Sequence, residues 1–160
     1  MVFYWFIVRF CLFLFVANKN MIMNSLHKFR YFRLLFISWS LLIIISSSIP
    51  HLPDPKIKVP VPGSGMNIRI DYVIHFLEFF ILSILFIFMK MNHSAKLRFK
   101  HISWYVVLGM AAAFFIEVYQ ELIPGRTFNI IDFLYNSLGL LTGVLFTYLL
   151  KINKRKDLIG

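Results

Sequence analysis

Residues 117–143 read EVYQELIPGRTFNIIDFLYNSLGLLTG, which predicts two apolar helices joined by a tight Pro-Gly-Arg turn. The first of these helices carries Glu117, Gln120 and Glu121 on one face, because positions i, i+3 and i+4 are neighbours on a helix. Acidic side chains are costly inside hydrocarbon, so a group of them in a membrane helix is a functional-site hypothesis by default. We therefore expect a polar site where these two helices meet the turn.

The second helix of this stretch carries a stripe of polar and small residues. Asp132 and Asn136 are one turn apart, and Gly139 and Gly143 continue the same stripe. A Gly-x-x-x-Gly face lets another helix approach closely in a membrane. The two glycines are therefore predicted to have a helix-packing role.

The composition is that of an integral membrane protein. The chain has 160 residues, of which 59% are hydrophobic and 15% charged, whereas a soluble domain has about a quarter charged residues. The formal charge of +10 comes from basic residues in short runs between apolar segments, so we expect no nucleic-acid partner. Cys11 is the single cysteine, which excludes an intrachain disulfide and a cysteine-based metal cluster.

Long apolar runs predict an all-α, polytopic membrane protein. We assign residues 21–156 to one transmembrane domain. The loop after its first helix is rich in proline and glycine, so we expect neither a regular helix nor a central strand in that loop. The four core helices are expected at about residues 34–49, 70–89, 104–123 and 130–150.

Residues 1–20 form a separate hydrophobic segment that is apolar to residue 17 except for Arg9. The apolar part would span roughly 25 Å as a helix, short of the roughly 30 Å hydrocarbon core. It is therefore an extra helix, an interfacial segment or sequence upstream of the true start. We favour the last hypothesis, because Met21 and Met23 stand just before a basic run.

The basic residues predict the orientation. Twelve of them fall on one side of the predicted core and four on the other, and the richer side faces the cytoplasm. Both ends of the four-helix core are therefore predicted to be cytoplasmic in the cell membrane, with the proline loop and the Pro-Gly-Arg turn outside. The twelve lie at residues 18–33, 90–100 and 151–156.

With that orientation, the polar residues of the helices converge in the outer half of the membrane. The second helix contributes three positions at i, i+4 and i+7, and the inner halves of the same helices carry no charge. The predicted site comprises Asp71, His75, Glu78, Glu117, Gln120, Glu121, Arg126, Asp132 and Asn136.

This pattern resembles the VanZ-like family of bacterial membrane proteins over roughly residues 34–150. Two residues depart from the family pattern: Tyr72 stands where the family commonly has Lys, and Phe79 where it commonly has Tyr. The founding member is associated with resistance to teicoplanin, a lipoglycopeptide that acts on the cell wall. The resemblance thus implies a role in the cell envelope or in lipoglycopeptide susceptibility, without a mechanism. The matching motifs are Asp71-x-x-x-His75-Phe76, Glu117-x-x-Gln120, Pro124-Gly125-Arg126 and Asp132-x-x-x-Asn136-x-x-Gly139-x-x-x-Gly143.

Four interpretations of the site remain open. In the first, the cluster is structural: Arg126 pairs with Glu117, Glu121 or Asp132, and Asn136 and Gln120 hydrogen-bond across the helices, which locks them together. In the second, a metal is held by histidine and carboxylates. The site has one histidine and no His-Glu-x-x-His motif, so we expect no metal and no cofactor.

The third interpretation is catalysis. Glu117, His75 and Asp132 are the candidate acids or bases of a hydrolase or transferase acting on an outer-leaflet, lipid-linked substrate. No serine or cysteine nucleophile has a convincing position, since Ser137 is predicted to point to another helical face.

The fourth interpretation is binding without chemistry, of a lipid-linked wall precursor or a lipoglycopeptide, alongside contact with membrane lipid. A transporter is less favoured, because no polar track crosses the inner halves of the helices. The sequence leaves the oligomeric state open. The ligand-binding candidates are Arg126, Gln120, Asn136, Asp71 and Glu121.

Overall fold

A computed structural model describes residues 25–50, 58–60, 67–93 and 99–156. The predicted hydrophobic segment at residues 1–20 lies outside the described residues.

Four long helices make up almost all of the described chain, and each contains a segment long and apolar enough to cross a membrane. The all-α prediction with a four-helix membrane core is therefore confirmed. The apolar segments are His27–Ser48, Ile70–Lys90, Lys100–Gln120 and Ile130–Leu150. The helices are α1 (Ser25–Ser48), α2 (Ile70–His93), α3 (Phe99–Gln120) and α4 (Ile130–Lys156).

The first helix begins earlier than predicted, at Ser25 rather than near residue 34. The basic residues Lys28, Arg30 and Arg33 lie within it instead of preceding it. Long basic side chains can keep their charge in water while their methylene stems cover apolar surface, so they do not end a membrane helix.

The third helix ends earlier than predicted, at Gln120 rather than near residue 123. Beyond it the chain tightens into i to i−3 turns, with the Leu122 amide 3.0 Å from the Tyr119 carbonyl oxygen. Gly125 follows with a positive φ of 80°, a left-handed conformation that glycine adopts without steric cost. The Pro-Gly-Arg turn thus reverses the chain into α4.

Two short strands lie in the loop between α1 and α2. Strand β1 (Lys58–Pro60) pairs antiparallel with β2 (Asn67–Arg69), with Val59 opposite Ile68. The second strand runs directly into α2, so the ribbon lies at the same end of the bundle as the α3–α4 turn.

Helix α2 is the central helix, and it packs against both α4 and α1, while α4 also packs against α3. The α2–α4 contact is the closest: a Cβ added at Gly143 would lie 2.6 Å from the Phe80 carbonyl oxygen, and one at Gly139 would collide with the Phe76 carbonyl. The two glycines therefore lie where the α2 and α4 backbones touch.

One buried hydroxyl connects three helices in the middle of the bundle. Ser83 on α2 donates to the Phe79 or Leu140 carbonyl oxygen, each at 3.0 Å, and its Oγ lies 3.2 Å from the Tyr105 hydroxyl on α3. Around it lies an apolar core that includes Phe79, Leu85 and Leu140.

Candidate functional site

The polar end of the bundle, where α1 and α3 end and α2 and α4 begin, holds a cluster of buried polar side chains. Glu117 and Gln120 come from the last turn of α3, and Asp132 and Asn136 from the first two turns of α4. Their exposed fractions are 0% for Glu117 and Asn136, 3% for Gln120 and 7% for Asp132. We refer to these four residues as the polar cluster.

A buried hydrogen bond joins the two helices within the polar cluster. The Asn136 amide nitrogen Nδ2 donates to Oε1 of Glu117 at 3.0 Å. Because both side chains are fully buried, this bond fixes the position of the carboxyl group between α3 and α4.

A second contact connects the polar cluster to α2. The His75 ring nitrogen Nε2 lies 3.9 Å from Oδ2 of Asp132, an ion pair when the imidazole is protonated. That separation is too long for a direct hydrogen bond. The structure therefore brings the three catalytic candidates, Glu117, His75 and Asp132, to the same end of the bundle.

Several buried polar atoms near the α3–α4 turn have no hydrogen-bond partner in the described structure. Burying such an atom without a partner costs about 1–3 kcal/mol, so native proteins usually satisfy it with water, an ion or a ligand. Both acceptors and donors are represented, which matches a ligand that carries amide or hydroxyl groups. The atoms are Oε2 of Glu117, Nε2 of Gln120, Oδ1 of Asp132, Oδ1 of Asn136 and Oγ of Ser137.

Ser137 is an addition to the predicted site. The sequence placed it on another helical face, but its side chain is buried, with 6% of the residue exposed. No spacing signal identified it, because α4 is covered by α2 on one side and by α3 on another, so more than one of its faces is buried.

Arg126 is held by α1 instead of by the acids. Its Nε donates to the Ile49 carbonyl oxygen at 3.1 Å, and its Nη2 lies 3.4 Å from the Ser46 carbonyl oxygen. A cation at the last carbonyls of a helix satisfies unpaired acceptors and complements the helix dipole. Burial lowers the pKa of Arg126 from its ordinary value, and the charges of Glu117 and Asp132 oppose that shift.

The structure corrects the hypothesis that Arg126 locks the helices through an ion pair. Within the described residues, no nitrogen of Arg126 comes within 4.0 Å of a carboxyl oxygen of Glu117, Glu121 or Asp132. The reason is the turn geometry, which directs the guanidinium across the polar end toward the end of α1.

Glu121 and Asp71 lie outside the polar cluster. Glu121 is exposed in the turn after α3, because the helix ends one residue before it and the expected shared face with Glu117 is lost. Asp71 instead binds Arg69 of β2, with Nε of Arg69 3.1 Å from Oδ1 of Asp71. This hydrogen bond raises the pKa of the Arg69 guanidinium above its usual value.

The Arg69 guanidinium also packs against a pair of stacked tyrosine rings that the sequence did not predict. Its guanidinium lies 4.9 Å from the centre of the Tyr72 ring, and Tyr72 stacks on Tyr135 of α4 with ring centroids 5.1 Å apart. Tyr72 stands where the resembling family commonly has Lys, so here an aromatic ring and Arg69 occupy that corner of the polar end.

Glu78 binds α1 instead of the polar cluster. Its Oε1 accepts a hydrogen bond from the Ser46 hydroxyl at 2.9 Å, and its backbone oxygen accepts one from the Trp39 indole at 2.9 Å. The Ser46-Ser47-Ser48 run at the end of an apolar helix was the available sequence signal for this contact.

The described residues contain no group of three or more histidine, cysteine, aspartate and glutamate side chains placed to hold a metal ion. The acids that the metal interpretation needed are divided among different partners. Glu78 contacts α1 and Glu121 is exposed, whereas Glu117 and Asp132 belong to the polar cluster.

A family model described as VanZ/LLP1 matches residues 1–151. The chain belongs to the VanZ/LLP1 family. The resemblance found in the sequence is therefore confirmed, and the polar end described above is that of a VanZ/LLP1 membrane protein. No curated protein and no solved structure shows a significant match to the chain.

Proposed function

We propose that this VanZ/LLP1 protein affects the cell envelope or lipoglycopeptide susceptibility by binding an amide- or hydroxyl-bearing ligand at its polar end. The observation that carries the proposal is the set of buried, unpartnered polar atoms at the α3–α4 turn. A membrane helix bundle that needed only to pack would be more stable with apolar side chains there.

The chemistry of these atoms defines the ligand class. The free oxygens of Glu117, Asp132 and Asn136 accept hydrogen bonds, while the Gln120 amide nitrogen donates one. A peptide stem or an amino sugar offers both N–H or O–H donors and carbonyl acceptors. Lipid-linked wall precursors and lipoglycopeptides such as teicoplanin both carry these groups.

The predicted orientation supports access from outside the cell. The bias of twelve basic residues against four predicts that the polar end is at the extracytoplasmic face. Arg126 lies on the turn at that face, and three of its five N–H donors remain beyond the two that contact α1. An anionic group of the ligand would be attracted there.

One observation favours a second candidate, a membrane enzyme acting on an outer-leaflet, lipid-linked substrate. His75 lies beside Asp132, and the buried carboxyl group of Glu117 is in the same cluster. A histidine near one carboxylate, with a second carboxyl group in the same cluster, supplies the groups that general acid–base catalysis of hydrolysis or group transfer needs.

The first experiment measures teicoplanin susceptibility of a host that carries the wild-type protein or a variant, with membrane levels checked by blot. Glu117→Gln removes the charge but keeps an oxygen that can accept the Asn136 hydrogen bond. Glu121→Gln makes the same change on an exposed side chain and is the matched control. We expect the wild-type protein and Glu121→Gln to protect, and Glu117→Gln to be present in the membrane but inactive.

Two results would contradict the proposal. Absence of protection by the wild-type protein removes the lipoglycopeptide role, and equal protection by Glu117→Gln removes the polar cluster from it. His75→Gln separates binding from catalysis, because glutamine retains a hydrogen-bond donor near Asp132 but cannot act as an acid or base. Protection retained in that variant favours binding, and protection lost at normal protein levels favours the enzyme.

A further inference from the structure

A groove between α1 and α3 runs along the bundle from the end opposite the polar end and has no role in the function proposed above. The two helices make few contacts with each other, and α2 forms the floor between them. The groove has a volume of about 460 Å³, within the range of ligand pockets in proteins. Its walls include Phe36 of α1, Leu82 of α2 and Leu108 of α3.

A small residue on α3 helps to keep the groove open. Ala112 lines the groove and is exposed, so a larger side chain at that position would fill part of the space between α3 and α1. The rest of the lining is almost entirely aliphatic or aromatic, with Ser40 the main exception along its length, and its hydroxyl is satisfied by the Phe36 carbonyl oxygen at 2.8 Å. The groove therefore offers no polar partner along its length.

The dimensions fit a hydrocarbon chain. Along α3 the lining extends from His101 to Ile116, which corresponds to about 22 Å of helix. One leaflet contributes about half of the roughly 30 Å hydrocarbon core, so the groove is long enough for an acyl chain of that leaflet.

Charge is confined to one end of the groove. Lys90 lies at the end of the apolar segment of α2, and His101 lies at the start of that of α3. Both are thus at the depth of lipid headgroups, beside the half-exposed Trp104, a residue type that favours the interface. The Lys90 ammonium lies 5.7 Å from the centre of the Phe86 ring, which holds it over the groove.

We propose that this groove binds an anionic phospholipid, with one acyl chain between α1 and α3 and the phosphate at Lys90 and His101. An ammonium and an imidazole N–H form strong hydrogen bonds to phosphate oxygens. The charged end belongs to the leaflet that the basic loops predict to be cytoplasmic, where anionic lipids attract basic residues. A zwitterionic lipid such as phosphatidylcholine would fill the same groove and has the same phosphate, but its quaternary ammonium would be repelled by Lys90, so it would bind more weakly.

The test is native mass spectrometry of the full chain in detergent, titrated with phosphatidylglycerol or phosphatidylcholine of identical acyl chains. Ala112→Trp fills the groove from an exposed position, and Leu145→Trp makes a similar change on the exposed surface of α4. We expect one tightly bound phosphatidylglycerol in the wild-type protein and in Leu145→Trp, and about tenfold weaker binding in Ala112→Trp.

The headgroup contacts are tested separately. The double variant Lys90→Gln/His101→Gln should lose about fivefold or more of the preference for phosphatidylglycerol over phosphatidylcholine, because about 1 kcal/mol for a lysine near anionic lipid is a factor of about five. Lys100→Gln, an exposed neighbour that does not line the groove, should keep that preference.

Three results would overturn the proposal. Equal binding by Ala112→Trp and Leu145→Trp means that no acyl chain occupies the groove. An unchanged lipid preference in the double variant means that Lys90 and His101 do not select the anionic headgroup. A disulfide that forms between Cys11 and the introduced thiol in the variant Ala112→Cys means that the N-terminal segment occupies the groove instead of a lipid.

Discussion

The contact between α2 and α4 allows a quantitative test through Gly139→Ala. An added Cβ would lie 2.9 Å from the carbonyl carbon and 3.1 Å from the Cα of Phe76, and closer still to the carbonyl oxygen. Ordinary contacts begin at 3.4 Å and the carbonyl oxygen is the nearest atom, so the helices must separate by about 1 Å or more. A gap of about 1 Å forfeits about half of the dispersion energy at each neighbouring contact.

The expected loss follows from two opposing effects. Overpacking costs about 1–3 kcal/mol, and the upper end applies because the obstructing atoms are backbone and cannot rotate away. Alanine gains about 1 kcal/mol over glycine in helix propensity. The net loss of stability for Gly139→Ala is therefore about 2 kcal/mol, or about 4–8 °C in the unfolding midpoint for a chain of this size.

Gly109→Ala is the matched control. Its added Cβ would meet the Leu140 methyl carbons at 2.8 and 3.0 Å, and these belong to the end of a side chain that can rotate. The rotamer cost and the propensity gain are each about 1 kcal/mol, so little net change is expected. The assay heats each variant in detergent and measures the fraction that remains monodisperse by size exclusion. If Gly139→Ala unfolds at or above the midpoint of Gly109→Ala, the close backbone contact between α2 and α4 does not exist.

Three other predictions follow from single contacts, each measured by the same thermal assay unless stated. Asn136→Ala leaves a second oxygen of Glu117 unpaired and should lower the stability by about 1–3 kcal/mol. Glu117→Gln keeps an acceptor for Asn136 and should lower the stability less, so equal unfolding midpoints of the two variants would contradict the hydrogen bond. Arg126→Gln should lower the stability by about 1 kcal/mol and increase protease cleavage at the end of α1. Unchanged cleavage would mean that the contacts of Arg126 with the carbonyl oxygens at the end of α1 are not formed. Tyr105→Phe should lower the stability less than Ser83→Val. Among the described residues, the serine hydroxyl contacts both α3 and α4, whereas the tyrosine hydroxyl contacts the serine alone. The reverse order of the two midpoints would contradict that arrangement.

The order and the approximate positions of the four membrane helices in the described residues could be predicted from the sequence, because apolar length is a local property. Ile70 starts α2 and Ile130 starts α4 at the positions expected from the hydropathy boundaries. The start of α1 was wrong because Lys28 and Arg30 were interpreted as flanking residues, whereas long basic side chains extend to water from inside a helix.

The contacts of the site were harder to predict because they join distant parts of the chain. The i, i+3 spacing correctly placed Glu117 and Gln120 together, but no spacing rule connects Arg126 with the carbonyl of Ile49, 77 residues away. Glu78 faces Ser46 on α1 for a similar reason: helical spacing gives the direction of a side chain only relative to its own helix. Which acids face each other depends on the rotation of each helix in the bundle.

The contacts of the Arg126 guanidinium also affect how much conformational entropy would be lost when a ligand binds. A free arginine side chain loses about 2 kcal/mol of conformational entropy when it is fixed. In this fold the contacts with the last carbonyls of α1 have already restricted that side chain, and they leave N–H donors pointing elsewhere. An anion arriving at the polar end would therefore meet a preorganised cation, and its affinity would depend on α1, a helix it need not touch.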